Sequence, residues 1–352
     1  MSGEYQRPAA GPGGLRLHLN ENTAGCSPRV LEAIRAVSAL DVAFYPEYEE
    51  VISESAAYLG VPESWLLLTN GLDEGILAAT VAAAQAGVTG GVLADVPESI
   101  VPQPAFDMYA VCTGAVGGRV VEVPPRADLR FPLEAVLRAI RRSTRLVFIT
   151  SPGNPTGVRI DLDDIARVSD ALPPGARVFV DEAYHDFCGD TAMPLLADRP
   201  NVIVGRTFAK GHGLAALRAG AVIAQPDTLG PLRRVVPPYS LNVCAIAGLR
   251  AALSDVEYLE WYRSQVRESR EMIYALARRR GLPYWESGAN FVLVRVGARA
   301  AELVTGLAGR GIFVRDRTGD PGCDGCVRIT AGVVEHTARC VAAMEEMLCA
   351  AP

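Results

Sequence analysis

Lysine is almost absent from this chain. Its 352 residues hold one, Lys210, against 33 arginines. A chain that uses arginine wherever a positive charge suffices has kept a single amine. Lysine can lose its proton in a desolvated site and attack a carbonyl to form a Schiff base, whereas arginine stays charged. Biased codon usage leaves the same count, so the residues around Lys210 must separate the two readings. Long apolar runs are absent too. No stretch of about 18 apolar residues occurs, and the N-terminus lacks a basic-then-apolar pattern. Neither a membrane span nor a secretory signal is read, and a cytoplasmic protein is expected. A basic surplus is also missing. The net charge is −6, with arginines scattered among acids, which argues against a nucleic-acid partner. The eight cysteines follow no small-scaffold spacing and are expected to be reduced. Cys323-x-x-Cys326 with His336 and Cys340 has the residue types of a zinc site. However, residues 327–330 read as a strand, and His336 and Cys340 fall on the next helix, so no metal is assigned.

What is present describes a globular chain. Hydrophobic residues make up 49% and charged residues 21%, over a length beyond one usual domain. Residues 1–14, rich in Gly, Pro and Ala, read as a mobile tail. Ser27-Pro28 opens a helix whose buried face is Val30, Leu31, Ile34 and Val37. Tyr45-Pro46 breaks the chain before a second helix with Tyr48, Val51, Ile52 and Leu59 on its apolar face and Gly60 at its end. Residues 66–68 lead into Thr69-Asn70-Gly71-Leu72-Asp73-Glu74-Gly75, then an alanine-rich helix to about Gly87. A strand, a glycine turn and a helix start supply free N–H groups for an anion. An ordinary helix cap has the same pattern.

Further strands are expected at 91–94, 119–123, 146–150, 177–180, 202–206 and 219–224, with helices between most of them. This order predicts an α/β fold with a mostly parallel sheet covered on both faces. After about Asn242 the pattern changes. A long helix, 255–280, precedes strands 291–296, 311–314 and 327–330, mixed with helices 299–308 and 335–349. Gly309 fits the end of the first of these two helices. The stretch reads as a second α/β domain.

Chemistry-bearing residues fall where strands end. Strand 146–150 runs into Ser151-Pro152-Gly153-Asn154-Pro155-Thr156-Gly157. The next runs into Asp181-Glu182-Ala183-Tyr184, and the third into Thr207-Phe208-Ala209-Lys210. Loops at the carboxyl ends of parallel strands are where such sheets bind ligands. Each residue is commonplace alone; convergence on the only lysine is not.

On these motifs the chain resembles the fold type I pyridoxal-phosphate aminotransferases, and within them the histidinol-phosphate aminotransferase group. The likeness runs from about Leu17 to Leu348. It is supported by residues 19–22, Tyr45-Pro46, residues 70–74, the aromatics Phe106 and Tyr109, and Arg328-Ile329-Thr330. The resemblance implies that Lys210 forms the Schiff base with pyridoxal 5′-phosphate and shuttles a proton at the substrate Cα. It implies that Asp181 pairs with the pyridine nitrogen, and that Asn154 and Tyr184 bond the phenolic oxygen. Phe106 would stack on the ring. Gly71, Leu72, Asp73, Thr207 and Arg218 would hold the phosphate, with Tyr45 from a neighbouring subunit of a homodimer. Arg328, Arg315 and Asn20 would bind substrate. The implied layout is an N-terminal segment, 15–44, packing with the small domain, a large cofactor-binding domain, 45–242, and a small domain, 243–352.

Three positions depart from the resembled pattern. Thr23-Ala24-Gly25 follows Asn20-Glu21-Asn22 where Pro-Tyr-Gly is usual, so a tyrosine that closes over phosphorylated substrates is replaced. Ala209 stands where a serine usually binds cofactor phosphate. His212 follows Lys210 in a loop usually holding an alanine and an aromatic, and reads as structural. The expected activity is amino transfer from glutamate to a small carbonyl acceptor. Other Cα chemistry, such as decarboxylation of a phosphorylated amino acid, uses the same Lys210 and Asp181. A non-catalytic binding protein is a third reading, against which Lys210, Asp181, Asn154 and Tyr184 all count.

Overall fold

In a computed structural model of the protein, residues 13–86, 88–89, 92–93 and 96–349 are described. The expected tail, 1–14, falls almost wholly outside them. The strands in chain order are β1 (Leu15–Arg16), β2 (Leu66–Asn70), β3 (Val88–Thr89), β4 (Val92–Leu93), β5 (Glu98–Pro102), β6 (Arg119–Val123) and β7 (Thr144–Thr150). They continue with β8 (Arg177–Asp181), β9 (Val202–Thr207), β10 (Ala219–Ile223), β11 (Phe291–Arg295), β12 (Ile312–Phe313), β13 (Arg315–Asp316) and β14 (Cys326–Thr330).

Seven strands form the large sheet in the order β2-β10-β9-β8-β7-β5-β6. Only β10 runs against its neighbours, β2 and β9. The central strands are apolar on both faces, as a sheet covered by helices requires. In β8, Val178 and Val180 join one buried cluster and Phe179 the other, which is the alternation of a pleated strand. A second unit holds the antiparallel sheet β11-β14-β13 and its own cluster. β1 joins this unit by pairing in parallel with β12, whereas Val30 of the helix Pro28–Arg35 is buried in a cluster of the large sheet.

Several expectations need correction. The strand expected at 91–94 is not in the large sheet. Its described part, β4, pairs with β3 in a two-stranded ladder. The sheet strand is β5, whose polar start hid it; Glu98 is 3% exposed because it pairs with Arg119. Leu31 is 45% exposed, outside the buried face of the helix Pro28–Arg35. A short helix, Ala39–Ala43, went unread and is closed by a capping box between Ser38 and Asp41. Gly309 is the last residue of its helix and Arg310 caps it, with Gly311 taking the positive φ of the turn. The two helices that follow residue 242 pack differently. Val243–Ser254 buries Ala245 and Leu249 in a cluster of the large sheet, whereas Val256–Arg280 buries Tyr262 and Ile273 in the second unit.

Other signals are met as read. Ser27 caps the first helix through its hydroxyl, and Gly60 ends the helix Glu49–Leu59 at φ 69°.

One strand position ties the sheet to the turn beside Lys210. Gly220 in β10 faces Thr69 and Thr207, and a Cβ there would lie 2.6 Å from the backbone of Gly71 and Leu72. Gly220→Ala is expected to cost about 1–3 kcal/mol by overpacking. It should also weaken cofactor retention, because backbone is what must move. Thermal unfolding and cofactor titration check both effects; a variant with unchanged stability would disprove the close approach.

Candidate active site

Three parallel strands end at nearly the same level, β9 running two residues further to Thr207. Thr150, Asp181 and Gly205 are successive register partners across β7, β8 and β9. The loops that follow therefore emerge side by side and line a cavity of about 370 Å³. Its wall includes Asn154, Asp181, Tyr184, Thr207, Lys210, Arg218, Leu72, Asp73 and Phe106. From the second unit come Arg315, Arg317 and Arg328, and from the N-terminal segment Asn20 and His18.

Lys210 is half-buried, and its amine donates to the Leu19 carbonyl at 3.1 Å. Desolvation, followed by the nearby Arg328 charge, lowers its pKa from 10.5 to about 8. Asp181 is 4% exposed. One carboxylate oxygen accepts the Tyr109 hydroxyl at 2.7 Å and the other the Ala183 N–H at 2.9 Å. Burial raises its pKa to about 6, against those two hydrogen bonds. No cation pairs with it among the described residues. Tyr109 also meets Thr150 at 2.7 Å and stacks on Phe148 with ring centres 4.5 Å apart. Phe106, half-buried, stands edge-on to Tyr109. The Tyr184 hydroxyl accepts from the Asn20 amide at 2.9 Å.

The glycine turn opens a helix whose first turn has no side-chain cap. Gly71, at φ 73°, begins the helix Leu72–Gln85 and offers no side chain to cap the first turn. A Cβ at Gly71 would collide with the Arg218 guanidinium, which pairs with Asp73 at 2.7 Å. Thr207 lines the same end, its hydroxyl accepting from the Ala209 N–H.

The opposite end is cationic. Arg328 is 5% exposed, and its guanidinium donates to the His18 carbonyl and the Asn154 amide oxygen. Burial lowers its pKa to about 10. Arg315 is its direct cross-strand neighbour.

Two residues singled out in the sequence lie elsewhere. Tyr45 is 77% exposed and stacks on Tyr239, outside the cavity of its own chain. His212 is buried against Phe208 with its Nε2 3.3 Å from the Tyr58 hydroxyl. Cys323 and Cys326 pack with Leu129 and Leu293, while Cys340 sits in the second unit's core. The sequence reading gave no role to Tyr109, His18 or Arg317. Tyr109 lies three residues beyond Phe106, a spacing that carried the only legible signal.

A buried carboxylate without a cation suits a ligand with a protonated ring nitrogen. An amine of depressed basicity suits an aldehyde, and the open helix start suits a phosphate. The fold and cavity together are those of a fold type I pyridoxal-phosphate enzyme. The chain belongs to the aminotransferase class I and II family, whose profile matches residues 12–343, and its cofactor is pyridoxal 5′-phosphate. It is 36% identical over 338 residues to the histidinol-phosphate aminotransferase of Symbiobacterium thermophilum, covering 95% of this chain and 90% of that one. It is also 36% identical to histidinol-phosphate aminotransferase 2 of Ralstonia nicotianae, with 95% and 88% covered. The crystal structure of histidinol-phosphate aminotransferase from Sinorhizobium meliloti with pyridoxal-5′-phosphate superposes at a TM-score of 0.85, with 27% identity and 97% and 95% covered.

The depressed basicity of Lys210 is measurable without turnover. With a pKa of about 8 the amine is mostly protonated below that pH and mostly free above it. Reductive methylation of the cofactor-free protein, read at the Lys210 peptide by mass spectrometry, should show a midpoint near 8. Arg328→Gln removes a positive neighbour and should move the midpoint up. A midpoint at the ordinary 10.5 would refute the desolvated site.

Proposed function

We propose that the enzyme transfers an amino group from glutamate to a small carbonyl acceptor that carries an anionic group, as a histidinol-phosphate aminotransferase does. The observation that carries this reading is the Arg315–Arg328 pair. Like charges directly opposite on a sheet are destabilising. Here they stand at the same register position, and Arg328 is buried with only neutral oxygens bonded to it. Such a guanidinium is suited to a bidentate carboxylate or phosphate. Donor and acceptor occupy one site in turn, so both should present an anion there.

The proposed roles are those the resemblance implies, and the geometry supports them. When bound, pyridoxal 5′-phosphate supplies an aldehyde for the amine and a protonated ring that draws electrons from the substrate Cα. Asp181, held by Tyr109 and Ala183, keeps the proton on the pyridine nitrogen. Tyr184 and Asn154 orient the phenolic oxygen, and Phe106 covers the ring face. Gly71, Leu72, Asp73, Thr207 and Arg218 hold the phosphate. Lys210 removes and returns the proton at the substrate Cα as general base and acid. Arg328, with Arg315 and Asn20, fixes the substrate so that this proton lies within reach of Lys210.

A homodimer is part of the proposal. Leu40, Val42, Phe44 and Tyr45 are each at least 68% exposed on one short stretch, more apolar surface than a lone subunit usually shows. A dimer through that face would bring Tyr45 to the neighbour's cofactor phosphate. If Tyr45→Ala is inactive, mixing it with Lys210→Ala subunits should restore part of the activity. A fully active monomer by light scattering would end that idea.

The central test is a panel of amino donors and acceptors with product analysis. Glutamate should yield 2-oxoglutarate; release of carbon dioxide instead would support the decarboxylase reading. Asp181→Asn should lower kcat by about 10²–10³ while retaining cofactor, by loss of charge at the ring nitrogen. Arg328→Gln should lower kcat/KM about 100-fold, in line with a charge-assisted hydrogen-bond pair. Near-normal turnover in either variant would rule out the corresponding role.

A further inference from the structure

Nothing at the Lys210 site uses the Cys323-x-x-Cys326 pair. Both thiols are free and buried, packed with Leu129 and Leu293. The turn around them is exposed at Pro321, Gly322 and Asp324. Metal binding does not account for the pair. Cys340 lies in another cluster, and the described residues hold no group of three or more His, Cys, Asp or Glu placed to ligate an ion.

The chain brings the two sulfurs together locally. The Cys326 N–H donates to the Cys323 carbonyl at 2.9 Å, and Gly325 between them has φ 66°. A β-turn of this kind needs glycine at its third position. Its end Cα atoms lie within about 7 Å, which overlaps the range of roughly 4.4–6.8 Å found in disulfides. The turn is also anchored. A Cβ at Gly325 would lie 2.6 Å from the Gly297 backbone, and the Gly325 carbonyl accepts from the Val296 and Gly297 N–H groups. The two thiols hydrogen-bond each other. On Cys326 that bond, with the guanidinium of its register partner Arg295, lowers the thiol pKa against burial. On Cys323 the same bond and burial raise it. One sulfur is thus favoured as thiolate and the other keeps its proton, the division of roles a reactive Cys-x-x-Cys needs.

We propose that Cys323 and Cys326 are a redox-active dithiol that a small peroxide converts to a disulfide, and that closing it weakens substrate binding at Arg328. The Cys326 thiolate attacks one peroxide oxygen; the O–O bond breaks, hydroxide leaves, and Cys326 becomes a sulfenic acid. The Cys323 sulfur then attacks the Cys326 sulfur. Its proton goes to the departing hydroxyl, which leaves as water. Two electrons pass from the dithiol to the peroxide, and an external dithiol returns them by exchange. Local opening of the exposed turn admits so small a molecule. Cys326 opens β14 two residues before Arg328, on the same face of the strand, and its carbonyl accepts from the Arg317 N–H at 2.9 Å. Arg317 and Arg328 both line the Lys210 cavity. Ring closure draws the sulfurs from hydrogen-bond contact to a bond of about 2.05 Å, so the start of β14 must shift. The dithiol itself is independent of the proposed activity; its effect on Arg328 rests on the anionic-substrate reading above.

The experiment treats cofactor-loaded wild type, Cys323→Ala and Cys326→Ala with hydrogen peroxide, followed by acid quench, alkylation and peptide mass spectrometry. Wild type should yield a Cys323–Cys326 disulfide that dithiothreitol removes. Cys323→Ala has no second thiol to close the bond, so dimedone should trap a sulfenic acid at Cys326. Cys326→Ala should give no adduct at Cys323. Oxidised wild type should show a glutamate KM about tenfold higher at similar kcat, as weakening of a charge-assisted hydrogen bond predicts. Dithiothreitol should reverse the rise. A wild type in which Cys323 and Cys326 stay reduced while the exposed Cys349 oxidises overturns the dithiol. A disulfide with unchanged KM, or an equal rise in peroxide-treated Cys323→Ala, overturns the link to Arg328. A reduced wild type inert with glutamate overturns the amino-transfer reading instead, and the disulfide result then decides the dithiol by itself.

Discussion

The site depends on charges held out of water without counter-ions. Asp181 and Arg328 are buried, Lys210 is half-buried, and no ion pair joins any of them to another described residue. Removing a charge from water is expensive unless it is compensated. Here the compensation is partial and comes from neutral groups. Tyr109 and Ala183 serve Asp181, His18 and Asn154 serve Arg328, and Leu19 serves Lys210. The result is an amine less basic than usual and a carboxyl less acidic than usual. Both are poised for a cofactor and substrate that bring the missing opposite charges.

The N-terminal segment holds these parts in one frame. Between Leu17 and Asn22 it bonds residues from both units. Leu17 accepts from Thr330, His18 from Arg328 and Leu19 from Lys210. Asn20, at φ 55°, donates to Tyr184 and accepts from Asn290, and Asn22 donates to Gly211. Asparagine tolerates this left-handed conformation better than most residues. The short segment thus sets the distance between the lysine loop and the arginine strand. A shift in it would disturb proton transfer and substrate binding together.

Beneath the cavity, rigidity comes from a buried ion pair. Glu182, next to Asp181, is 2.8 Å from Arg206 on the neighbouring strand, and Thr191 bonds both. Such a pair adds little net stability. Removing one partner would strand a buried charge beside Asp181 and cost about 3–5 kcal/mol of stability.

The sequence by itself determined the local elements and the motif residues. Alternating apolar strands and helices, Ser27 and Gly60 at helix ends, and the only lysine after a strand are all local properties. Periodicity and capping are encoded within a few residues, so they can be read along the chain. Strand β5 was not legible, because the burial of Glu98 depends on Arg119, 21 positions away. Which charges go unpaired was not legible either. Arg315 faces Arg328 only through sheet register, and Tyr109 reaches Asp181 across 72 residues. His18 is an ordinary histidine in the sequence. Only the tertiary structure decided its isolation, because burial and the neighbourhood of three arginines arise when distant segments pack.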